Sequence, residues 1–447
     1  MRQADCIIIG AGPGGYETAA ALAAAGKDVV LVERDSLGGT CLNRGCIPTK
    51  CLCASANIIA DIRRADAFGV SVASFTADYD KAHARIADVT SQLRAGVESM
   101  LAKVTVVKGT ASLEQGHVVV VGDERFTAPQ IIIATGSEPA IPPIEGAGLA
   151  VTSDDFLNLD DIPQRVTIIG GGVIGIEFAS VLNAFGRDVT VIEYCPEILP
   201  PFDKDIAKRL RTTLGRRGIR FMVSTAVTAI RPGFELDVKG RKGDDRVSAD
   251  LVVMATGRRP VIPQGTAEAG IELDGRGFIK VDDLMQTSVE GIFAIGDVNG
   301  RCMLAHAAEA QGRRAIGSDV NLDIIPSAVF CHPEAAMVGM TEDSARASDR
   351  NIVVGKASYA ANGKALATGE EGGTVKLVVD RDSGFILGCH VMGAHASDIV
   401  AEAAALMFGM TTAEELADEL VHNHPTLSEV LPAAARDVIA RLTPPAI

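Results

Sequence analysis

The chain has no apolar run approaching the ~18 residues that a membrane span needs. No secretory leader is expected either. Cys6-Ile7-Ile8-Ile9 is too short for an apolar h-region and runs straight into Gly10-Ala11-Gly12, so a cytoplasmic location is expected. Basic residues are in deficit, 42 Lys and Arg against 57 Asp and Glu, for a net charge of −15. Without a basic block to displace phosphate counterions, nucleic acid is a poor partner, and an anionic membrane surface is disfavoured for the same reason. Low-complexity segments and long tethers are also missing. At 47 % hydrophobic and 22 % charged residues, the chain is neither disordered nor fibrous. Its 9 cysteines, an odd number at mostly irregular spacing, make no secreted disulfide framework. What the 447 residues do hold is enough for two or three domains. The 46 glycines exceed the usual share of ~7 %, which points to tight turns or close backbone approaches to a ligand.

The strongest internal signal is a repeat. Residues 5–15 read as an apolar strand ending in Gly10-Ala11-Gly12-Pro13-Gly14-Gly15; an Ala-rich helix over 16–25 follows, then a strand over 28–33 ending in Glu33. Residues 165–193 repeat the plan, from Val-Thr-Ile-Ile into Gly170-Gly171-Gly172-Val173-Ile174-Gly175, a helix to Phe185, and a strand ending in Glu193. The acid follows the first glycine by the same interval in both copies. A lone glycine loop is explained by turn geometry, but the full strand–loop–helix–strand–acid unit, present twice, implies two dinucleotide-binding domains. Glycines let the backbone approach a pyrophosphate, and the helix N-terminus supplies amide donors. Glu33 and Glu193 can each accept from a ribose 2′-hydroxyl. A carboxylate would repel a 2′-phosphate and no arginine follows closely on Glu193, so the second site should prefer NAD to NADP.

Buried strands are expected at Ile131 to Ala134 before Thr135-Gly136, at Leu251 to Ala255 before Thr256-Gly257, and at Ile292 to Ile295 before Gly296-Asp297. After about residue 326 the pattern becomes that of an antiparallel sheet with a long helix over 396–407, without a nucleotide fingerprint.

The stretch Gly38-Gly39-Thr40-Cys41-Leu42-Asn43-Arg44-Gly45-Cys46-Ile47-Pro48-Thr49-Lys50 carries the chemistry. Two cysteines five apart can close a short-loop disulfide, and a thiol near a helix N-terminus and a lysine has a depressed pKa. Cys51 and Cys53 raise the local count to four, but on a helix starting near Pro48 they point to different faces and cannot converge on a metal. On spacing alone a redox pair leads, ahead of an inert pair of thiols and a metal site. Far along the chain, Glu429 stands five residues after His424; a carboxylate so placed favours the imidazolium and can fix the tautomer, as a thiol's general base requires. His422 and the Cys331-His332 pair have no such support and read as packed or solvated residues.

The GGTCLNRGCIPTK stretch after an N-terminal GAGPGG, with the two ATG strands, AIGD, LAH at 304–306 and HNHPTLSE at 422–429, resembles the flavin-dependent pyridine nucleotide–disulfide oxidoreductases over essentially the whole chain. Within that family it is most similar to the branch that oxidises dihydrolipoamide. The resemblance implies an α/β fold of two Rossmann-like domains, for FAD and NAD, with a C-terminal α+β dimerisation domain. It places an FAD domain at 1–145 and 260–325, an NAD domain at 146–259 and an interface domain at 326–447.

By the family pattern, Gly10, Gly12, Gly15 and Glu33 hold FAD, with Ala111 and Gly136 along its adenine half and Asp297 and Ala305 at the ribityl and flavin end. Lys50 sits beside the flavin's reactive nitrogen, paired with Glu177. Gly172, Gly175, Glu193, Val227 and Gly257 line the NAD site. Cys41 and Cys46 form the redox disulfide, Cys46 against the flavin and Cys41 exchanging with substrate. His424 reaches in from the second subunit as acid–base, oriented by Glu429. No metal is implied.

The implied activity is oxidation of protein-bound dihydrolipoamide with reduction of NAD. The implied partners are a second copy of the chain and a lipoyl-bearing domain of a 2-oxo acid dehydrogenase or glycine cleavage complex. The rival readings are another NADH-dependent flavoprotein disulfide reductase and a flavin-binding subunit with an inactive redox centre. A glutathione reductase would carry NADP-selecting arginines near Glu193, arginine where Ala19-Ala20-Ala21 stands, and tyrosine at Val173. A mercuric reductase or large thioredoxin reductase would need a C-terminal cysteine pair, whereas the last cysteine is Cys389 and the 443–447 tail has no redox group.

Overall fold

The computed structural model describes residues 1–241 and 243–442; the 443–447 tail lies outside them. Two five-stranded parallel sheets repeat one plan. In the first the order is Ile292–Ala294, Gln130–Ile133, Cys6–Ile9, Val29–Glu33, Thr105–Lys108. In the second it is Val151–Thr152, Leu251–Met254, Arg165–Ile169, Asp188–Ile192, Arg220–Met222. The central strands are continuous Ile and Val runs because both faces of a parallel sheet are covered: Ile7, Ile8, Ile131, Ile132 and Val253 are wholly buried. In each sheet the strand carrying the glycine loop at its C-terminal end lies centrally, where a doubly wound sheet opens a crevice.

The helices after the two loops run Pro13–Ala24 and Val173–Ala184. The first starts three residues before the sequence expectation. Pro13 takes its first position, where the missing N–H costs nothing.

The C-terminal domain is a five-stranded antiparallel sheet in the order Ser327–Val329, Glu334–Gly339, Ile386–Gly393, Thr374–Asp380, Ile352–Ser358. Helix Ala396–Phe408 packs on Glu334–Gly339 and Ile386–Gly393, and helix Val430–Leu442 on Ile352–Ser358 and Thr374–Asp380. This is the expected fold class: two Rossmann-like units and a separate α+β unit. Among the described residues no helix is long and apolar enough to cross a membrane.

Candidate active site

One cleft of about 1730 Å³ runs between the two parallel sheets, lined by both glycine loops, the cysteine turn and residues of the C-terminal domain. The loops match in detail. Gly10 and Gly170 have φ of 104° and 108°, a region closed to most side chains. A Cβ on Gly15 would strike the Gly10 carbonyl, and one on Gly175 the Gly170 carbonyl, so each helix packs directly against its loop. In front of the helices the space is free. A Cβ on Gly12, Gly172, Gly136 or Gly257 would meet nothing within 4 Å, which fits a pyrophosphate brought up to backbone amides.

The two acids brace their own loops. Glu33 accepts from the Ala11 N–H at 2.7 Å and the Asp35 N–H at 2.7 Å. Glu193 accepts from the Gly171 N–H at 2.5 Å and the Cys195 N–H at 2.6 Å. Each carboxylate oxygen keeps a second lone pair that can take a hydroxyl.

Between the loops lies the cysteine turn. Cys41 is in the short helix Gly39–Arg44, and Cys46 opens the helix Cys46–Arg64. That helix starts two residues before Pro48, because Gly45 leaves the helical conformation and the proline fits inside a first turn that needs no donor. Both cysteines are free thiols, the reduced form of the expected disulfide, and Cys46 is open to the cleft. A hydrogen bond from Cys41 and the Lys50 ammonium hold the Cys46 thiol down at about 7, against the opposing pull of burial. Cys41, which shares its hydrogen with Cys46 and is desolvated, is pushed well up. Above about pH 7 the pair therefore keeps one proton and carries one negative charge.

Lys50 Nζ donates to Oε1 and Oε2 of Glu177, each at 2.9 Å, and stands 4.6 Å from the centre of the Phe330 ring. Glu177 is 3 % exposed and also accepts from the Phe330 N–H at 2.9 Å. Burial works against the Lys50 ammonium, and the Glu177 carboxylate outweighs it, so Lys50 stays above the ordinary lysine range. Cys51 and Cys53 are both buried in the core beside Cys331. Among the described residues no three metal-ligating side chains converge.

Gly10, Gly12, Gly15, Glu33, Lys50, Gly136, Gly172, Glu177, Glu193, Val227, Gly257, Asp297 and Ala305 all line the cleft with Cys41 and Cys46. Four expected site residues do not. Ala111 opens a strand paired with Val121 and packs in the core, and Gly175 lies inside its helix. His424 and Glu429 stand apart on the C-terminal domain, with His424 Nδ1 2.9 Å from Glu429 Oε1. The Thr426 N–H and His424 hold the Glu429 carboxyl below its usual range, so it faces the imidazole as an anion. The His424 side chain is 79 % exposed, whereas His422 is packed against Glu402 at 2.7 Å.

A chain of charges in the cleft wall went unnoticed in the sequence. Arg44, between the cysteines, bonds Asp35 at 2.5 Å and lies 3.7 Å from Asp154; Asp154 bonds Arg258 at 2.8 Å. Arg258 then donates to Ser137 Oγ at 2.8 Å, and Ser137 to Asp297 at 2.5 Å. Desolvation raises the Asp297 carboxyl against the Ser137 bond. The only local signal was Arg44 itself, a cation inside the cysteine motif.

A dithiol with one thiol held near neutrality, set between two dinucleotide cradles, defines an oxidoreductase that moves electrons between thiols and a nucleotide. The sequence patterns of known families agree: residues 4–312 match the pyridine nucleotide-disulphide oxidoreductases and 325–435 their dimerisation domain. The chain belongs to the pyridine nucleotide-disulphide oxidoreductase family. It is 38 % identical to a dihydrolipoyl dehydrogenase of Bacillus subtilis, over 96 % of this chain and 97 % of that one. It is 39 % identical to a dihydrolipoyl dehydrogenase of Chlamydia muridarum, over 96 % of each. Among solved structures it is similar to the HOCl-induced flavoprotein disulfide reductase RclA of Escherichia coli in its Cu(II) complex, with a TM-score of 0.86, 29 % identity, and 98 % and 99 % of the two chains covered.

Proposed function

We propose that this chain is an NAD-linked flavoprotein that oxidises dihydrolipoamide to lipoamide through a Cys41–Cys46 disulfide. The observation that carries the reading is the thiol pair with Cys46 held near 7, set between two cradles that fit FAD and NAD. Near-full-length relatives named dihydrolipoyl dehydrogenase support it.

The division into an FAD domain at 1–145 and 260–325, an NAD domain at 146–259 and an interface domain at 326–447 is part of the proposal. Strand Ile292–Ala294, which joins the sheet of Cys6–Ile9, supports it. The dimerisation domain supports a homodimer. Its further partner is a lipoyl-bearing domain of a 2-oxo acid dehydrogenase or glycine cleavage complex, in the cytoplasm.

In the oxidised enzyme, a dihydrolipoamide thiol gives its proton to Nε2 of His424 of the partner subunit, whose Nδ1–H is held by Glu429. The thiolate attacks Cys41 Sγ, and Cys46 leaves as the thiolate that Lys50 stabilises. The second substrate thiol passes its proton to Cys41 as it displaces that sulfur from the mixed disulfide; lipoamide departs, leaving Cys41 as thiol, Cys46 as thiolate and the first proton on His424. FAD, when bound, supplies the two-electron link from this dithiol to NAD. Lys50 and Glu177 hold the charge beside the dithiol, and the two glycine loops orient the nucleotides.

The test is anaerobic reduction of NAD by dihydrolipoamide, with reduced glutathione as rival donor and NADP as rival acceptor. Turnover with dihydrolipoamide and NAD alone is expected. Flavin that is reduced by NADH without any dihydrolipoamide turnover would keep the relay and replace the substrate with another small disulfide.

A further inference from the structure

The C-terminal domain reaches back to the second glycine loop through one buried cation. Lys376, on strand Thr374–Asp380, is 3 % exposed overall. Its Nζ donates to both oxygens of Asp203, at 3.0 and 2.9 Å, and lies 3.2 Å from Asp205 and 2.7 Å from Glu342. Asp203, itself 3 % exposed, caps the helix Lys204–Arg216 of the second nucleotide unit. Just before it, Pro200 and Pro201 form the lip of the cleft. Before them, the Leu199 N–H donates to the Gly171 carbonyl at 2.8 Å, inside the glycine loop. A continuous bonded path thus runs from Lys376 through Asp203 and the proline lip to Gly171. Nothing at the glycine loop itself requires a residue some two hundred positions away, and a buried ammonium is costly unless its partners are fixed.

We propose that Lys376 is a positioning residue for the NAD site, holding Asp203 and through it the proline lip and the Gly171 turn. The inference rests on the reading that NAD occupies the second glycine unit. Lys356, 2.8 Å from Asp205, and Arg346, 2.8 Å from Glu342, add to the charged surroundings, while burial holds His390, opposite Lys376 in the sheet, below the usual imidazole range. Glu342 touches the same ammonium from the C-terminal domain but belongs to no segment lining the cleft. It therefore serves as the control.

The experiment compares Lys376→Met, Asp203→Asn and Glu342→Gln in the full-length, flavin-loaded protein. NAD binding is measured by calorimetry, and reduction of the protein by dihydrolipoamide is followed over a single turnover without NAD. The Kd for NAD is expected to rise about tenfold in K376M and at least about threefold in D203N, and to stay within about twofold of wild type in E342Q. The single-turnover rate is expected to hold in all three. Unchanged NAD binding in D203N overturns the proposal even if K376M fails to fold. Equal weakening in E342Q also overturns it, since the site would then be answering to any change in the charges around the ammonium and not to the Lys376–Asp203 contact. Calorimetry needs no dithiol, so these outcomes do not depend on whether dihydrolipoamide is the substrate. Wild-type protein that binds no NAD would overturn both the nucleotide assignment and the role of Lys376.

Discussion

Lys50 and Glu177, 127 positions apart, meet with both carboxylate oxygens 2.9 Å from the ammonium. The helix of the redox cysteines is thereby bonded to the helix of the second glycine loop. Lys50→Met would strand a carboxylate that is 3 % exposed. Allowing for a lysine side chain that is itself 32 % exposed, we expect a loss of about 2–3 kcal/mol, read from urea unfolding. Wild-type stability in this variant would mean that Glu177 is carried by the Phe330 N–H alone.

The thiol pair should titrate near neutrality. Cys46 is held at about 7, so the reduced protein carries one thiolate above that pH and none well below it. The rate of iodoacetamide alkylation of reduced protein should rise with pH through an inflection near 7. In Lys50→Met the inflection should move upward, because the ammonium no longer favours the anion. A profile with its only inflection at the ordinary cysteine value, above 8, would contradict the hydrogen-bonded pair.

Gly15→Ala and Gly175→Ala place a methyl against the carbonyls of Gly10 and Gly170. Each should cost roughly 1–3 kcal/mol by overpacking, with effects that separate by site. G15A should purify with depleted flavin, and G175A should keep its flavin while losing affinity for NAD. Flavin content by absorbance and NAD binding by calorimetry check the two; the reverse assignment would exchange the roles of the loops.

His424 lies outside the cleft that holds Cys41, on the domain that matches the family's dimerisation unit. His424→Gln should lower dihydrolipoamide oxidation by about 10²–10⁴-fold, while NADH-driven reduction of ferricyanide persists. Mixed dimers of Cys41→Ser and His424→Gln subunits should recover about half the wild-type activity per dimer, since one of two symmetric sites is whole. No recovery on mixing would show that the base does not act across the interface.

What the sequence made legible was what is local. The two glycine units, their helices and their acids could be read because each lies within some thirty residues, and their doubling fixed the α/β plan. The cysteine turn was equally compact, although its helix begins at Cys46 rather than near Pro48. The Arg44–Asp154–Arg258–Ser137 chain and the Lys376 cluster stayed hidden. The linking pairs, Arg44–Asp154, Asp154–Arg258, Arg258–Ser137 and Lys376–Asp203, lie more than one hundred positions apart, and only the packed domains bring them together. Phe330 was missed for the same reason: its part depends on a backbone N–H aimed at Glu177, which no periodicity in the sequence marks.

Glu33 and Glu193 each tie an amide of the glycine loop, Ala11 or Gly171, to an amide just past the acid, Asp35 or Cys195. The two loops are thus already shaped for their guests. A nucleotide arriving at either one meets a rigid mould and gives up its own freedom, but asks little ordering of the protein. Affinity can then be spent on discrimination between nucleotides, and the product can leave without the loop having to refold before the next turnover.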